Sequence, residues 1–419
     1  MGCAKNVVDS EKLMAQLQLN DIELAASIEE ADIAVINTCG FIDAAKEESI
    51  DMIIANVKLK GKGKLRRVYA MGCLAERYRK DLAHEIPEVD RFFGSNEMPA
   101  VLKELGGEYR YDLIGERVLT TPAHLAYLKI SEGCDNPCSF CAIPLMRGKH
   151  QSRPIEEIVS EARMLACRGV REIVVIGQDT TYFGIDVYGT RRLPEVLERI
   201  ADLEGIEWVR LMYAYPAKFP MEVLDVIARH PHVCKYLDMP VQHIADEVLK
   251  SMRRGVSQRA IRDLIGSIRD RIPGIVLRTT LIVGYPGEGE REFEELRRFV
   301  EDVRFDRLGV FPYSPEEGTT AYALGDPVPG EEKERRRGLL MEMQQTISQE
   351  RNERLVGSLQ KVLIDRIEDA TAIGRTEGDA PEIDNEVRVT PAPGMSPGSF
   401  YEVEIVDAYE YDLVGRVRQ

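Results

Sequence analysis

The chain has 419 residues, 44% of them apolar and 30% charged, which is the balance of a globular protein large enough for two or three domains. Its apolar runs are far shorter than the ~20 residues of a membrane-spanning helix, and the N-terminus shows no signal-peptide pattern. The formal net charge of −16 disfavours a protein whose main task is to grip nucleic acid and favours a basic or neutral partner. We therefore expect a soluble cytoplasmic protein.

Residues 1 to about 115 alternate helical and extended patterns. The spacing of apolar residues predicts helices over Asp9–Leu19 and Ala44–Val57, and buried strands over Ala31–Asn37 and Arg67–Met71. Alternating strands and helices form a parallel sheet with helices on its faces, so this segment predicts a doubly wound α/β domain.

Residues 123 to about 325 repeat this alternation at larger scale, with charged helical stretches such as Pro154–Arg168 and Ile261–Ile272. Six successive β/α units predict a full or partial α/β barrel. The predicted strands cover Ala126–Ile130, Glu172–Ile176, Trp208–Met212, Tyr236–Met239, Val276–Val283 and Arg307–Phe311.

The C-terminal region begins with a long charged helix, predicted over Glu331–Val356 and stopped by Gly357. Short strands separated by turn residues then predict a small β-barrel. Segment 357–419 holds 6 Lys/Arg and 13 Asp/Glu, a net charge of −7. Its predicted strands cover Gln360–Ile364, Ala372–Arg375, Glu386–Val389 and Phe400–Val406.

Three of the eight cysteines, Cys134, Cys138 and Cys141, are closely spaced after the predicted strand Ala126–Ile130. Three thiolates at this spacing can each bind one iron of a 4Fe–4S cluster and leave the fourth iron open to a small molecule. The alternatives are a zinc site, which usually presents four ligands in two pairs, or three idle thiols. We expect Cys167 to be an ordinary core or surface thiol, and Cys234 likewise.

A second set comprises Cys3, Cys39 and Cys73. Cys39 and Cys73 follow predicted strands of a parallel sheet, whose carboxyl ends border one crevice, and Cys3 precedes the first helix. The residues alone fit either three metal ligands or three small buried apolar side chains.

The motif CxxxCxΦC, with the aromatic Phe140 before its last cysteine, resembles the signature of the radical S-adenosylmethionine superfamily. The segments GCAKNVVDSE, NTCGFID and MGCLAERY resemble the cysteine segments of its methylthiotransferase family, and the small C-terminal barrel resembles that family's TRAM domain. The resemblance covers nearly the whole chain. It implies a flavodoxin-like methylthiotransferase domain over residues 1–117, a radical S-adenosylmethionine core over 120–355 and a TRAM domain over 356–419.

The resemblance also implies the cofactors. S-adenosylmethionine would bind the open iron and be cleaved to a 5′-deoxyadenosyl radical, which removes hydrogen from an unactivated carbon. The carbon radical would then take a methylated sulfur from an auxiliary cluster, and a second S-adenosylmethionine would methylate that sulfur. The electron donor implied is flavodoxin or ferredoxin. The implied ligands of two 4Fe–4S clusters are Cys134, Cys138 and Cys141 for the first and Cys3, Cys39 and Cys73 for the auxiliary one.

Strand-end residues supply the predicted contacts to S-adenosylmethionine, and no catalytic residue is predicted beyond the two clusters. Strand ends of a barrel are enriched in such contacts, although each position also fits an ordinary loop or turn residue. The basic stretch from Arg147 to Arg153 is predicted to be a solvated loop. The predicted contacts are Phe140, Gly177, Gln178, Asp179, Gln242 and Arg278.

The family divides by substrate, and this chain resembles the RimO branch, which modifies the β-carbon of an aspartate in small-subunit ribosomal protein uS12. The resemblance lies in SEGCDNPCSFCAIP followed by Arg147-Gly148, and in Gly177-Gln178-Asp179-Thr180. A barrel of net charge −7 would also repel RNA phosphates and attract a basic ribosomal protein, free or in its subunit. The alternatives are a transfer RNA adenosine methylthiotransferase and a non-catalytic iron–sulfur carrier or scaffold.

One departure concerns the N-terminus. Family members usually begin with a short strand before the first cysteine, whereas Met1 here lies two residues from Cys3. This predicts a natural start upstream of Met1 or a trimmed terminus, with Cys3 on a potentially frayed end.

Overall fold

A computed structural model of the chain describes residues 2–111 and 115–418. Met1, residues 112–114 and Gln419 lie outside the described residues, and so do the predicted outer limits of the first and last domains and the predicted position of the natural start. None of the described helices is long and apolar enough to cross a membrane.

The N-terminal unit is a three-stranded parallel sheet in the order β1-β2-β3. Ile53 and Leu82 pack from α2 and α3 onto one face of this sheet. Leu13 and Val101 pack from α1 and α4 onto the other, which confirms the doubly wound arrangement. The elements are α1 Ala4–Gln18, β1 Ile33–Thr38, α2 Asp43–Leu59, β2 Arg67–Gly72, α3 Cys73–Glu85, β3 Arg91–Phe93 and α4 Met98–Glu104.

The central unit contains a six-stranded parallel sheet, which with its helices forms an open barrel. The strands and helices are β4 Leu125–Lys129, β5 Ser131–Glu132, α5 Ile143–Arg147, β6 Gln151–Ser152, α6 Ile155–Cys167, β7 Glu172–Ile176, α7 Ile185–Tyr188, α8 Leu193–Ala201, β8 Trp208–Leu211, α9 Glu222–Arg229, β9 Val233–Asp238, α10 Asp246–Ser251, α11 Gln258–Arg271, β10 Val276–Val283, α12 Glu290–Val303, β11 Arg307–Pro312 and α13 Gly330–Glu353.

The sheet order β4-β7-β8-β9-β10-β11 follows the chain, as expected for successive right-handed β/α units. The large core lies between the outward strand side chains and helices α6, α8, α9, α11 and α12. All six predicted strands are confirmed, two of them with the predicted bounds.

The C-terminal unit is a closed five-stranded barrel reached through α13. The sequence predicted four of its strands and missed the fifth, Leu413–Val417, which pairs with two others and closes the barrel. The strands are β12 Leu359–Glu368, β13 Thr371–Thr376, β14 Val387–Thr390, β15 Phe400–Ala408 and β16 Leu413–Val417.

This small barrel packs against the inward face of the open barrel, near the amino ends of its strands. Phe400 lies edge-on to Trp208, the first residue of β8, with ring centroids 4.8 Å apart. Leu363 shares the same apolar cluster with Leu125, the first residue of β4. The carboxyl ends of the strands lie away from this contact.

Charged residues reinforce this contact. Arg375 of β13 donates to Glu172 Oε2 over 2.8 Å, and the other oxygen of Glu172 accepts from Arg210 over 2.7 Å. All three side chains are buried, so each charge depends on its partners. The small barrel is therefore fixed to the open barrel by ion pairs as well as by apolar packing.

Candidate functional site

The CxxxCxxC motif lies on a loop beyond the carboxyl end of β4. Main-chain hydrogen bonds hold this loop to distant segments: Ser139 N donates to Met252 O over 3.0 Å, and Ala321 N donates to Ser139 O over 2.8 Å. At the start of the loop, Gly133 has φ +72°, and an added Cβ there would collide with the carbonyl oxygens of Gly148 and Lys149. Only glycine fits this close approach.

The three cysteines of this loop influence one another electrostatically. Burial raises the pKa of the Cys141 thiol to about 12, and the Cys138 and Cys134 sulfurs raise it in the same direction. Burial likewise raises the pKa of Cys134 to about 11, with Asp179 and Cys138 contributing. The three sulfurs therefore lie close together in partly buried surroundings.

A single metal ion needs several ligands arranged around it. Within residues 2–111 and 115–418, no three Cys, His, Asp or Glu side chains are arranged to hold a single metal ion. A 4Fe–4S cluster is held by one cysteine per iron, so its ligands need not share one ion. The three thiolates of one CxxxCxxC motif fit such a cluster better than a zinc site, which usually takes four protein ligands.

Several side chains point hydrogen-bond donors at these sulfurs. Arg254 Nη1 donates to Cys138 Sγ over 3.3 Å, and the Tyr215 hydroxyl lies 3.5 Å from the same sulfur. The Arg254 guanidinium also stacks over the Tyr215 ring at 4.2 Å. Asn136 Nδ2 donates to Cys134 Sγ over 3.5 Å. Neither Arg254 nor Tyr215 could be predicted from the sequence, because nothing local marks residues that are far from the motif in the chain.

The second set of cysteines also comes together. Cys39 directly follows β1, Cys73 begins α3, and Cys3 is the residue before α1. Burial raises the pKa of Cys73 to about 11, and the Cys3 and Cys39 sulfurs act in the same direction. Cys39 and Cys73 are buried, whereas Cys3 is exposed. Three sulfurs from three elements thus border one crevice, as the positions after the strands predict.

Gly177 and Gln178 lie at the carboxyl end of β7. A Cβ on Gly177 would come within 2.8 Å of Ser131 Oγ, a buried hydroxyl without a hydrogen-bond partner among the described residues. Gln178 Nε2 donates to Glu132 Oε1 over 2.5 Å, whereas its buried Oε1 accepts no hydrogen bond from the described part of the chain. The space and the free acceptor fit a small polar ligand.

Asp179 acts on the cysteine loop. Its Oδ2 accepts from Asn136 Nδ2 over 2.7 Å, and its Oδ1 accepts from the Thr181 amide over 2.9 Å and caps the short 3-10 turn Thr180–Tyr182. Because Asn136 in turn contacts Cys134, the structure places Asp179 behind the loop as an orienting residue.

Gln242 and Phe140 flank the same end of the barrel. Gln242 has φ +72° and binds Thr280 and Ile282 through its main chain, while its buried Oε1 has no partner within the described ranges. Phe140 packs with Ile282 against an apolar cluster that contains Tyr285. An unpaired buried acceptor costs free energy unless a ligand satisfies it, so Gln242 also fits a binding site.

Arg278 is the third residue of β10 and does not lie at the carboxyl end of the strand. Its Nη1 donates to Asp238 Oδ1 over 2.8 Å, and its Nε lies 3.5 Å from Asp384 of the small barrel. The Asp238 and Asp384 carboxylates outweigh the effect of burial and raise the pKa of Arg278. The structure therefore places this residue in the contact between the two barrels and does not bring it to the cysteine loop.

The prediction of a solvated basic loop after the motif is wrong. Arg147 and His150 are buried, and Arg153 Nη2 pairs with Glu161 Oε2 over 2.7 Å. Of the four basic side chains, only Lys149 is exposed. A basic run looks solvated in sequence because its acidic partners lie far away in the chain.

Three family profiles match this chain. Residues 128–300 match the radical SAM superfamily, residues 1–94 match uncharacterized protein family UPF0004, and residues 356–417 match the TRAM domain. These spans coincide with the open barrel, the doubly wound unit and the small barrel.

Curated relatives match over nearly the full length. The chain is 51% identical to a protein of Cytophaga hutchinsonii over 100% of the chain and 96% of the relative, and 53% identical to one of Chloroherpeton thalassium over 99% and 96%. A Bacteroides fragilis protein is 51% identical over 100% and 98%. All three are named ribosomal protein uS12 methylthiotransferase RimO.

Solved structures share the fold at low identity. The radical S-adenosylmethionine methyltransferase TsrM of Kitasatospora setae, solved with cobalamin and a 4Fe–4S cluster, matches with a TM-score of 0.55 and 14% identity, covering 86% of this chain and 78% of that one. The cobalamin-dependent enzyme OxsB, solved with S-adenosylmethionine, matches with a TM-score of 0.52 and 13% identity, covering 80% and 53%. This likeness confirms the fold class.

Proposed function

Because the chain belongs to the family of the ribosomal protein uS12 methylthiotransferase RimO, we propose that it transfers a methylthio group to the β-carbon of an aspartate in uS12. The structural observation that carries this proposal is the presence of two separate sets of three cysteines, each gathered at the carboxyl ends of parallel strands. A carrier or scaffold needs no second set and normally holds its cluster with four cysteines. The named relatives act on a ribosomal protein, so the transfer RNA alternative is not favoured.

Each cysteine set is proposed to hold one 4Fe–4S cluster, with S-adenosylmethionine at the open iron of the first. When bound, these groups supply a carbon radical able to take hydrogen from an unactivated carbon, and a sulfur for transfer. The proposed ligands are Cys134, Cys138 and Cys141 for the first cluster and Cys3, Cys39 and Cys73 for the second.

The residues at the ends of β7 and β9 are proposed to orient S-adenosylmethionine. Gln178 and Gln242 each present a buried Oε1 that can accept a hydrogen bond from an amino group. Gly177 keeps the space in front of Ser131 open. Asp179 holds the cysteine loop through Asn136, and Phe140, which belongs to the loop, packs against an apolar cluster. The contact of Arg278 with S-adenosylmethionine stays a prediction from the sequence, because carboxylates already bind its guanidinium.

The remaining assignments follow the family. The three-domain division at 1–117, 120–355 and 356–419, the cytoplasmic location and a flavodoxin or ferredoxin as reductant are proposals. The small barrel holds 13 carboxylates, and three of these, Asp365, Asp379 and Asp384, are engaged with basic residues at its contact with the open barrel. Exposed carboxylates such as Glu402, which makes no ion pair among the described residues, can attract the basic uS12.

Iron content tests the two-cluster proposal. After anaerobic reconstitution, the wild type is expected to hold about eight iron atoms per chain, whereas Cys141→Ala and Cys73→Ala should each hold about four. Cys167→Ala is the matched control, since this exposed thiol belongs to neither set, and it should keep the full content. A wild type with only about four iron atoms would rule out the second cluster, and a Cys73→Ala variant with wild-type iron content would rule out Cys73 as its ligand.

A further inference from the structure

Arg147 lies between the loop of the first cysteine set and the sulfurs of the second set. It ends α5, six residues after Cys141, and its side chain is only 2% exposed. Its Nε donates to Cys73 Sγ over 3.1 Å. The contact therefore joins the loop of the first cysteine set to a sulfur of the second.

The other edges of the guanidinium bind the helix that follows Cys3. Nη1 donates to Asp9 Oδ2 over 2.6 Å, and Nη2 donates to Asn6 Oδ1. Asn6 Nδ2 in turn donates to Thr38 O over 3.1 Å, next to Cys39 in the chain. Arg147 thus contacts Cys73 directly, contacts the helix that follows Cys3, and is linked through Asn6 to the residue before Cys39.

The charges around Arg147 are balanced without the sulfur. Asp9 and Glu132 provide two carboxylates, and Arg147 and Lys129 provide two cations that bind both of them. Lys129 and Arg147 lower the pKa of Asp9 to about 2 against the opposite effect of burial, so Asp9 stays ionised at neutral pH. The network therefore holds the guanidinium in place and leaves its Nε–H directed at Cys73.

We propose that Arg147 is a positioning residue of the second cluster, which holds the Cys73 sulfur by an N–H···S hydrogen bond and raises the reduction potential of that cluster. The inference rests on the proposed function, because it requires a cluster at Cys73. A hydrogen bond from a cation to a thiolate is stronger than one to a neutral thiol. Hydrogen bonds to the sulfurs and nearby positive charge both stabilise the reduced, more negative form of an iron–sulfur cluster.

The test isolates the second cluster in the full-length chain. A background with Cys134→Ala, Cys138→Ala and Cys141→Ala removes the first cluster, and redox titration followed by electron paramagnetic resonance then reports the potential of the remaining one. Arg147→Gln removes the cation and the Nε–H group that contacts Cys73, and it is expected to shift the potential to a more negative value. Lys149 lies two residues after Arg147 and is exposed. Lys149→Gln removes one positive charge there and should leave the potential unchanged.

A conservative variant covers the case in which Arg147→Gln does not fold. Arg147→Lys keeps the charge but loses the planar donor group, so it should shift the potential in the same direction by a smaller amount. Thermal unfolding followed by circular dichroism shows which variants fold. If Arg147→Gln folds but loses the iron that Lys149→Gln retains, the holding role is supported.

Two results would contradict different claims. A background protein without iron would refute the second cluster itself, whatever Arg147 does. A background protein with iron whose potential is the same in Arg147→Gln and Lys149→Gln would overturn the role of Arg147 and leave the proposed function intact. If Arg147→Lys folds and Arg147→Gln does not, a potential of Arg147→Lys equal to that of the background would also overturn the role of Arg147.

Discussion

Each cysteine set is accompanied by one guanidinium that donates to a sulfur. Arg254 donates to Cys138, and Arg147 donates to Cys73. Neither arginine could be assigned this role from the sequence, because each contact joins residues more than 70 positions apart. The clustered cysteines could be predicted from their spacing, whereas the second set was assigned from the family resemblance and from the positions of Cys39 and Cys73 after parallel strands.

Gly177 gives a prediction at the scale of one residue. Gly177→Ala is expected to weaken S-adenosylmethionine binding at least tenfold without loss of iron, because the new methyl group would fill the space in front of Ser131. Isothermal titration of the reconstituted protein measures the binding. Gly266→Ala, in open space on α11, is the matched control and should bind as the wild type does.

At the scale of elements, strands were predicted better than the ends of helices. Strand β10 has the predicted bounds because its alternating apolar pattern ends at Gly284. Helix α1 begins at Ala4 and not at the predicted Asp9, because the polar side chains of its first turns bind neighbouring elements and not water. Strand β16 was not predicted, because a segment of five residues after an exposed turn is too short for its alternation of apolar and polar residues to distinguish it from a loop.

Helix α1 is fixed to the open barrel by a buried ion pair. Arg117 Nη2 lies 2.7 Å from Glu11 of α1, and its Nη1 lies 2.8 Å from Glu161 of α6, with all three side chains fully buried. Glu11 also accepts from the amide and hydroxyl of Thr120. This network holds α1, and with it Cys3, against the central unit.

Glu11→Ala is therefore expected to lower the free energy of unfolding by about 3 kcal/mol, because it leaves a buried cation with one partner fewer. The measurement is urea unfolding followed by circular dichroism. Asp32→Ala breaks the exposed Asp32–Arg66 pair of 4.0 Å and should change the free energy by less than about 0.5 kcal/mol. Equal effects of the two substitutions would contradict the structural role of Glu11.

At the scale of the whole molecule, the two barrels meet at the amino ends of the strands, and both cysteine sets lie toward the carboxyl ends. This arrangement could not be predicted from the sequence, because the ion pairs that fix it join residues such as Glu172 and Arg375, 203 positions apart. The division into three units was predictable from composition and periodicity, whereas their contacts depend on side chains that only the fold brings together.

The contact between the barrels is expected to weaken in acid. Burial would raise the pKa of Asp365, but hydrogen bonds from His124 and Arg375 lower it to about 2. A carboxylate with a depressed pKa in the folded state contributes its stability above pH ~4 and loses it as the pH falls toward 2, a contribution of about 2 kcal/mol.

Asp365→Asn should therefore lower the unfolding midpoint at pH 7, and its difference from the wild type should shrink as the pH falls from 4 toward 2. Thermal scans across this range measure the effect. Asp407→Asn, at an exposed carboxylate of the same barrel, should match the wild type at every pH. A difference for Asp365→Asn that does not vary with pH would contradict the assignment.

The most direct test of the central claim uses the reconstituted protein with S-adenosylmethionine, a reductant and uS12, analysed by mass spectrometry. We expect a mass gain of one methylthio group on an aspartate of uS12, which should be absent with Cys141→Ala and retained with Cys167→Ala. Formation of 5′-deoxyadenosine with unmodified uS12, together with methylthio-adenosine when transfer RNA is supplied instead, would contradict it.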